Sequence, residues 1–127
     1  MDTGIKGKQT KMVTEECTAK AVGSGSLDVF ATPAMIALME ETAWKSVAAL
    51  LDPGYGTVGI RLEVTHDAPT PLGARVTCES ELVQVDGRKL TFEVRAYDEK
   101  GSIGKAVHER FIVEEGSFME KALGRGK

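Results

Sequence analysis

The chain reads as an α+β protein in which an antiparallel β-sheet wraps around one long central helix. Three observations carry that reading. A stretch of helical length, residues 29–51, is almost wholly apolar; the segments after it alternate apolar and polar residues with a period of two; and short turn signals separate those segments, Asp86-Gly87 foremost.

Residues 8–22 mix Val, Thr, Met and Cys with charges and are expected as a weak first strand, closed by Gly23-Ser24-Gly25-Ser26. The helix opens at Phe30-Ala31-Thr32-Pro33, with Thr32 as N-cap and Pro33 at the first helical position, where a missing N–H costs nothing. Met35, Ile36, Leu38, Met39, Ala43, Val47, Leu50 and Leu51, with alanines between them, predict a helix buried on most sides. Asp52-Pro53-Gly54-Tyr55-Gly56 stops it. In residues 58–66, Ile60, Leu62, Val64 and His66 share one strand face, against Arg61, Glu63 and Thr65 on the other. Past a turn at 67–73, Val76, Cys78, Ser80 and Leu82 form an inner face. The Asp86-Gly87 hairpin then leads to Leu90, Phe92, Val94 and Ala96. After a turn at 98–101, the last strand sets Gly104, Ala106, His108, Arg110 and Ile112 against Val107, Phe111 and Val113. Residues 116–127 are expected as a short helix or a flexible tail, which leaves residues 1–127 as one domain. Strand, long helix, then four strands is the order of the hotdog fold; a cystatin-like or ferredoxin-like α+β arrangement is the alternative.

Composition narrows the function classes. With 42% hydrophobic and 28% charged residues in 127, the chain has enough apolar material for a single core. A net charge of -3, without a dense Lys/Arg cluster, argues against nucleic acid as partner. A small anionic ligand remains open, since Arg61, Arg75, Arg88, Lys89, Arg95 and Lys105 are available to meet its phosphates. No run is long and apolar enough to span a membrane and the first twelve residues lack the apolar centre of a secretion signal, so a cytoplasmic protein with no membrane partner is expected. Cys17 and Cys78 stand far apart and only two His are present; we expect reduced core thiols, no metal and no cofactor.

One charge is out of place. Glu40 falls inside the apolar helix, and a carboxylate taken out of water without a partner is costly, so Glu40 is expected either to work or to be paired.

Phe30-Ala31-Thr32-Pro33, Leu38-Met39-Glu40, Gly59, Val64-Thr65-His66 and His108-Glu109-Arg110 together resemble the motifs of the fluoroacetyl-CoA thioesterase group of hotdog thioesterases, in the same order and at similar spacing. The resemblance runs over residues 29–113. It implies hydrolysis of an acyl-CoA thioester with Thr32, Glu40 and His66 as the catalytic set. Gly59 and Arg110 are carried over as oxyanion or substrate-binding residues. That group also has a longer, aromatic-rich lid between its first strand and the helix; here only Gly23-Ser24-Gly25-Ser26-Leu27-Asp28 precedes Val29, which implies a more open acyl site.

The chemistry of these residue types agrees. Thioester hydrolysis needs a nucleophile or activated water, a proton relay and donors aimed at the developing oxyanion. Glu40 can attack or act as base, His66 can orient it or move a proton near neutral pH, and the Thr32 hydroxyl can bond to either. Backbone N–H groups at the helix start or at Gly59 can serve the oxyanion. Each residue also has a plain structural role open to it: Thr32 as a cap, Glu40 as the partner of Arg110, His66 as a hydrogen-bonded strand end, Gly59 as room for close packing, Arg110 as a core counter-ion. His108 and Glu41 are read as structural, Trp44 and Tyr55 as packing or interface residues.

Thr32 and Glu40 are eight residues apart, hence ~12 Å apart along a straight helix, and cannot touch. A homodimer in which Glu40 of one chain meets Thr32 of the other resolves this, with a tetramer as the larger alternative. Val107, Phe111 and Val113, without a partner in the chain, point the same way. The competing function is a non-hydrolytic acyl-CoA or acyl-carrier binding module; a hydratase or dehydratase would need an Asp and His on an extended loop that the sequence does not offer.

Overall fold

A computed structural model of the chain describes residues 1–126. Its elements run β1 (Lys6–Met12), a 3₁₀ turn (Glu15–Cys17), α1 (Ala19–Val22), α2 (Thr32–Ala48), β2 (Tyr55–His66), β3 (Arg75–Asp86), β4 (Lys89–Asp98), β5 (Gly101–Glu114) and α3 (Glu115–Arg125). The strands form one antiparallel sheet in the order β1-β3-β4-β5-β2, and α2 packs across all five. The expected helix inside a curled sheet is therefore present. The tail forms α3, the helical form of that expectation; Lys127, its last residue, lies outside the described residues.

The core sits between α2 and the sheet. Met35, Leu38, Met39, Ala43 and Val47 of the helix meet Val76, Cys78, Leu82, Leu90, Phe92, Val94 and Ala96, as the period-two reading of β3 and β4 required. Full burial of side chains of this size stabilises by roughly 1.5–3 kcal/mol each. Both cysteines are free and buried, and burial pushes the Cys78 thiol up to about 11.

Four local expectations need correction. The first strand ends at Met12; beyond it Thr18 caps α1 by accepting from the Ala21 N–H, and Gly23 closes that helix at φ 87°. Thr32 is not the N-cap of α2, which is Ala31; Thr32 is the first helical residue and Pro33 follows it. Nor is α2 buried on most sides: Pro33, Ala37, Trp44 and Ala48 are exposed, because the sheet covers one face and the intervening alanines only made the helix look apolar all round. Finally, the register of β2 against β5 shifts between Gly59 and Arg61. The extra residue, Ile60, is 52% exposed instead of joining Leu62 and Val64 on the inner face.

Candidate active site

Two clusters contain the candidate residues, both on the helix-facing side of the sheet. At the start of α2, Thr32 Oγ1 lies 2.7 Å from His66 Nδ1 at the end of β2. The segment before the helix is pinned on both sides: Phe30 N–H donates to Thr70 O and Ala31 N–H to Cys17 O. The hydroxyl that would have capped the helix is thus committed to a side chain 34 residues away. His66 Nε2 is buried without a partner in the described chain. Burial holds the imidazole below its ordinary value of 6.5, opposed by the nearby Asp67 carboxylate, so the ring favours its neutral form.

The second cluster surrounds Glu40. Arg110 Nη1 donates to Glu40 Oε2 at 3.2 Å and to His108 Nε2 at 3.1 Å; Arg110 Nε donates to Thr57 Oγ1 at 2.8 Å and Nη2 to the Thr57 carbonyl at 2.9 Å. A guanidinium has five N–H donors, so one remains. Arg110 is buried, and burial pulls its guanidinium below its ordinary range while the Glu40 carboxylate opposes that shift. Glu40 itself is only half-buried, its side chain 41% exposed, which corrects the expectation of a carboxylate enclosed in the core. Its Oε1 carries no hydrogen bond among the described residues.

Gly59 explains how the carboxylate comes so close to the sheet. A Cβ there would sit 2.6 Å from Glu40 Oε2, 3.2 Å from His108 Cε1 and 3.4 Å from Arg110 Nη1. Any side chain would displace the carboxylate.

The structure therefore joins Thr32 with His66, and Glu40 with Gly59 and Arg110, and leaves the two groups apart within one chain. His108 and Thr57 belong to the second group; from the sequence His108 reads as structural and Thr57 is not singled out. Their signal was strand parity: His108 shares a face with Arg110, and Thr57 with Gly59. Glu41, by contrast, faces outward and pairs with Lys45 at 3.4 Å.

A cleft of about 320 Å³ opens beside Arg110, between Trp44 and Ala48 of α2, Leu51 just beyond it, and Tyr55 and Gly56 of β2. A larger groove of about 700 Å³ touches none of Thr32, Glu40, Gly59, His66 and Arg110; it runs past Glu63, Glu79, Glu93, Arg95 and Lys105. Of the cations considered for an anionic ligand, Arg61, Lys89 and Arg95 are paired with Glu63, Glu109 and Glu79. Among the described residues no group of three or more His, Cys, Asp or Glu side chains is placed to hold a metal ion, and no helix is long and apolar enough to cross a membrane.

Comparison with known proteins adds to this geometry. The profile of the family described as fluoroacetyl-CoA-specific thioesterase matches residues 13–116. The chain is 42% identical to the fluoroacetyl-CoA thioesterase of Streptantibioticus cattleyicolor over 94 residues, 74% of this chain and 68% of that one. It is similar to the solved structure of a Thr→Ser variant of a fluoroacetyl-CoA enzyme in complex with acetyl-CoA, at 32% identity and a TM-score of 0.94, with 100% of both chains covered. A hot-dog-like protein from Thermanaerovibrio acidaminovorans superposes with a TM-score of 0.90 over 98% of this chain and 93% of that one; at 24% identity that likeness shows the fold alone.

Proposed function

Because the chain belongs to the fluoroacetyl-CoA-specific thioesterase family, we propose that it hydrolyses the thioester of a small acyl-CoA to the free acid and CoA, using Thr32, Glu40 and His66 at a homodimer interface. The observation that carries the proposal is a half-exposed carboxylate fixed by one oxygen, Glu40 Oε2 on Arg110, with its other oxygen unengaged. Oε1 is the atom that acts, by attacking the thioester carbonyl or by taking a proton from the water that does. In either case the C–S bond breaks, the thiolate leaves and is protonated, and water supplies the oxygen of the new acid.

His66 serves the reaction through Thr32. With Nε2 closed off by the protein, its exchange with reacting groups runs through Nδ1 and the Thr32 hydroxyl. The N–H groups of Thr32 and Ala34 lack a carbonyl partner in the first helical turn, and we assign them, beside that hydroxyl, to the oxyanion. Gly59 gives the carboxylate room and Arg110 holds it, so the part we assign to both is positioning.

The dimer rests on three supports. Thr32 and Glu40 are separated by ~12 Å along α2; β2 is an edge strand of the sheet with β5 as its one neighbour; and the outward face of α2 exposes Trp44 beside Ala37 and Ala48. We assign the whole of residues 1–127 to one such unit, and place it in the cytoplasm, where two free buried thiols suit a reducing medium.

The test is release of free thiol from short, branched and aromatic acyl-CoAs. Glu40→Gln, which keeps shape, is expected to lose at least about 100-fold in kcat on a substrate so identified. Wild-type turnover by Glu40→Gln would overturn the assignment, and retained CoA-thioester binding with no turnover of any substrate would favour the binding module. For the composite site, co-refolding Thr32→Val with Glu40→Ala chains in equal amounts should recover about a quarter of wild-type activity, because half the dimers are mixed and one of their two sites is intact. No recovery, or full activity in a monomer, would remove the dimer from the proposal.

A further inference from the structure

We infer that His108 is a positioning residue for this reaction: held by the Arg61 carbonyl as the neutral Nδ1–H tautomer, its Nε2 lone pair fixes the Arg110 guanidinium that in turn fixes Glu40. The inference rests on the catalytic reading of Glu40 given above.

The tautomer follows from the partners. His108 Nδ1 lies 2.9 Å from Arg61 O, and a carbonyl can only accept, so Nδ1 carries the hydrogen. Nε2 lies 3.1 Å from Arg110 Nη1, and a guanidinium can only donate, so Nε2 must be the bare acceptor. A second ring proton would set N–H against N–H. The 3.9 Å approach of Nε2 to Glu40 Oε2 is for the same reason not an ion pair. His108 is 1% exposed and lies beside Phe92, ring centroids 6.4 Å apart, so no water competes for either nitrogen. Burial first, and the neighbouring Arg110 charge with it, keep the ring below its ordinary 6.5, against the pull of the Arg61 carbonyl and Glu40.

Arg110 has two N–H groups on Nη1, and each has one target: His108 Nε2 and Glu40 Oε2. Thr57 anchors the opposite side of the fork through its hydroxyl and carbonyl. Without the imidazole acceptor the guanidinium is free to rotate about the Thr57 anchor, and Glu40 moves with it. A catalytic group misplaced by about 1 Å loses on the order of 100-fold in rate.

The experiment compares His108→Phe, which keeps a ring but no acceptor, with His108→Gln, which restores an acceptor for Arg110. On an acyl-CoA that the wild type turns over, His108→Phe is expected to lose about 100-fold in kcat with KM within about threefold, and His108→Gln to recover at least about tenfold of that loss. The double variant Glu40→Gln/His108→Phe should be no slower than Glu40→Gln alone, since both act on one group. Wild-type kcat in His108→Phe, additive losses in the double variant, or equal losses in Phe and Gln variants that track loss of thermal stability would each overturn the inference. Should Glu40→Gln turn over like wild type, the catalytic reading falls, and this one with it; an inactive Glu40→Gln beside an active His108→Phe removes this one alone. Folding of the variants is not essential, because the wild-type tautomer is readable by ¹⁵N NMR: at pH 7 Nδ1 should be protonated and Nε2 bare. An Nε2–H or a doubly protonated ring would overturn it.

Discussion

The Thr32 hydroxyl and His66 Nδ1 lie 2.7 Å apart, joining the first turn of α2 to the last residue of β2. The bond takes from the helix a capping group and gives the site a held hydroxyl. Removing it should therefore cost rate more than stability. Thr32→Val is expected to lower kcat by about 10- to 100-fold while shifting unfolding free energy by less than about 1 kcal/mol, since the true cap, Ala31, is untouched. Thr32→Ser should retain most activity. A Thr32→Val enzyme with wild-type kcat, or one whose rate loss matches its unfolded fraction, would return Thr32 to a purely structural role.

Gly59→Ala separates function from folding in another way. The new Cβ would stand 2.6 Å from Glu40 Oε2, the far end of a flexible and half-exposed side chain that can swing away. Stability should fall by about 1–3 kcal/mol, since the buried Arg110 loses its carboxylate and the His108 ring must give way at 3.2 Å, whereas kcat should fall by about tenfold or more. Denaturant midpoints and steady-state kinetics on the same preparation decide it; large destabilisation with normal specific activity would count against the placement of Glu40.

Acid should weaken the fold through both histidines. His66 and His108 are held below 6.5 in the folded chain chiefly by burial. The unfolded chain takes up these protons near pH 6.5 and the folded chain resists, so the unfolded state binds more protons in between and stability drops as pH falls. The contribution is complete above about pH 6.5 and is lost on descent through the depressed folded values. Thermal unfolding followed from pH 8 to 5 should give a midpoint that is level at first and then declines, with a shallower decline in His108→Phe. A midpoint that rises on acidification within this range would contradict the neutral assignment of both rings.

Selectivity is the fourth expectation. Residues 23–28 are exposed and carry no aromatic side chain that could close over an acyl group; the neighbouring Phe30 is 1% exposed and belongs to the core. Discrimination between acyl groups that differ by one small substituent is worth only ~1–3 kcal/mol from an apolar pocket. The ratio of kcat/KM for fluoroacetyl-CoA over acetyl-CoA should accordingly stay below about 200-fold. A preference of several orders of magnitude would mean that some other part of the chain supplies the missing contacts.

What could be read from the residues alone was whatever is local and periodic. Alternation exposed the inner faces of β3, β4 and β5, and Asp86-Gly87 fixed their hairpin, with Gly87 at φ 60°. Thr32, Glu40, His66, Gly59 and Arg110 were singled out as candidates through their motifs. What escaped depended on distant partners. Thr32 before Pro33 has the local signature of a cap, and only the approach of His66 changes its task. Residues 14–22 carry strand-like Val, Thr and Cys, yet Thr18 and Gly23 close a helical turn there. His108 looked like one more inward strand residue, because nothing local shows that its two nitrogens are taken by Arg61 and Arg110.

Ile60 has a consequence for how this chain can vary. Gly59 and His66 are separated by an odd number of steps, so on a regular strand they would lie on opposite faces; both nonetheless serve the helix side. The one unpaired residue between them resets the parity, and a single strand thereby supplies both halves of the site. The side chain of Ile60, 52% exposed in the single chain, serves neither half of the site, whereas the residue's presence serves both. Losing it would turn either the glycine or the histidine outward. Length, more than chemistry, is what selection must guard at this point of the chain.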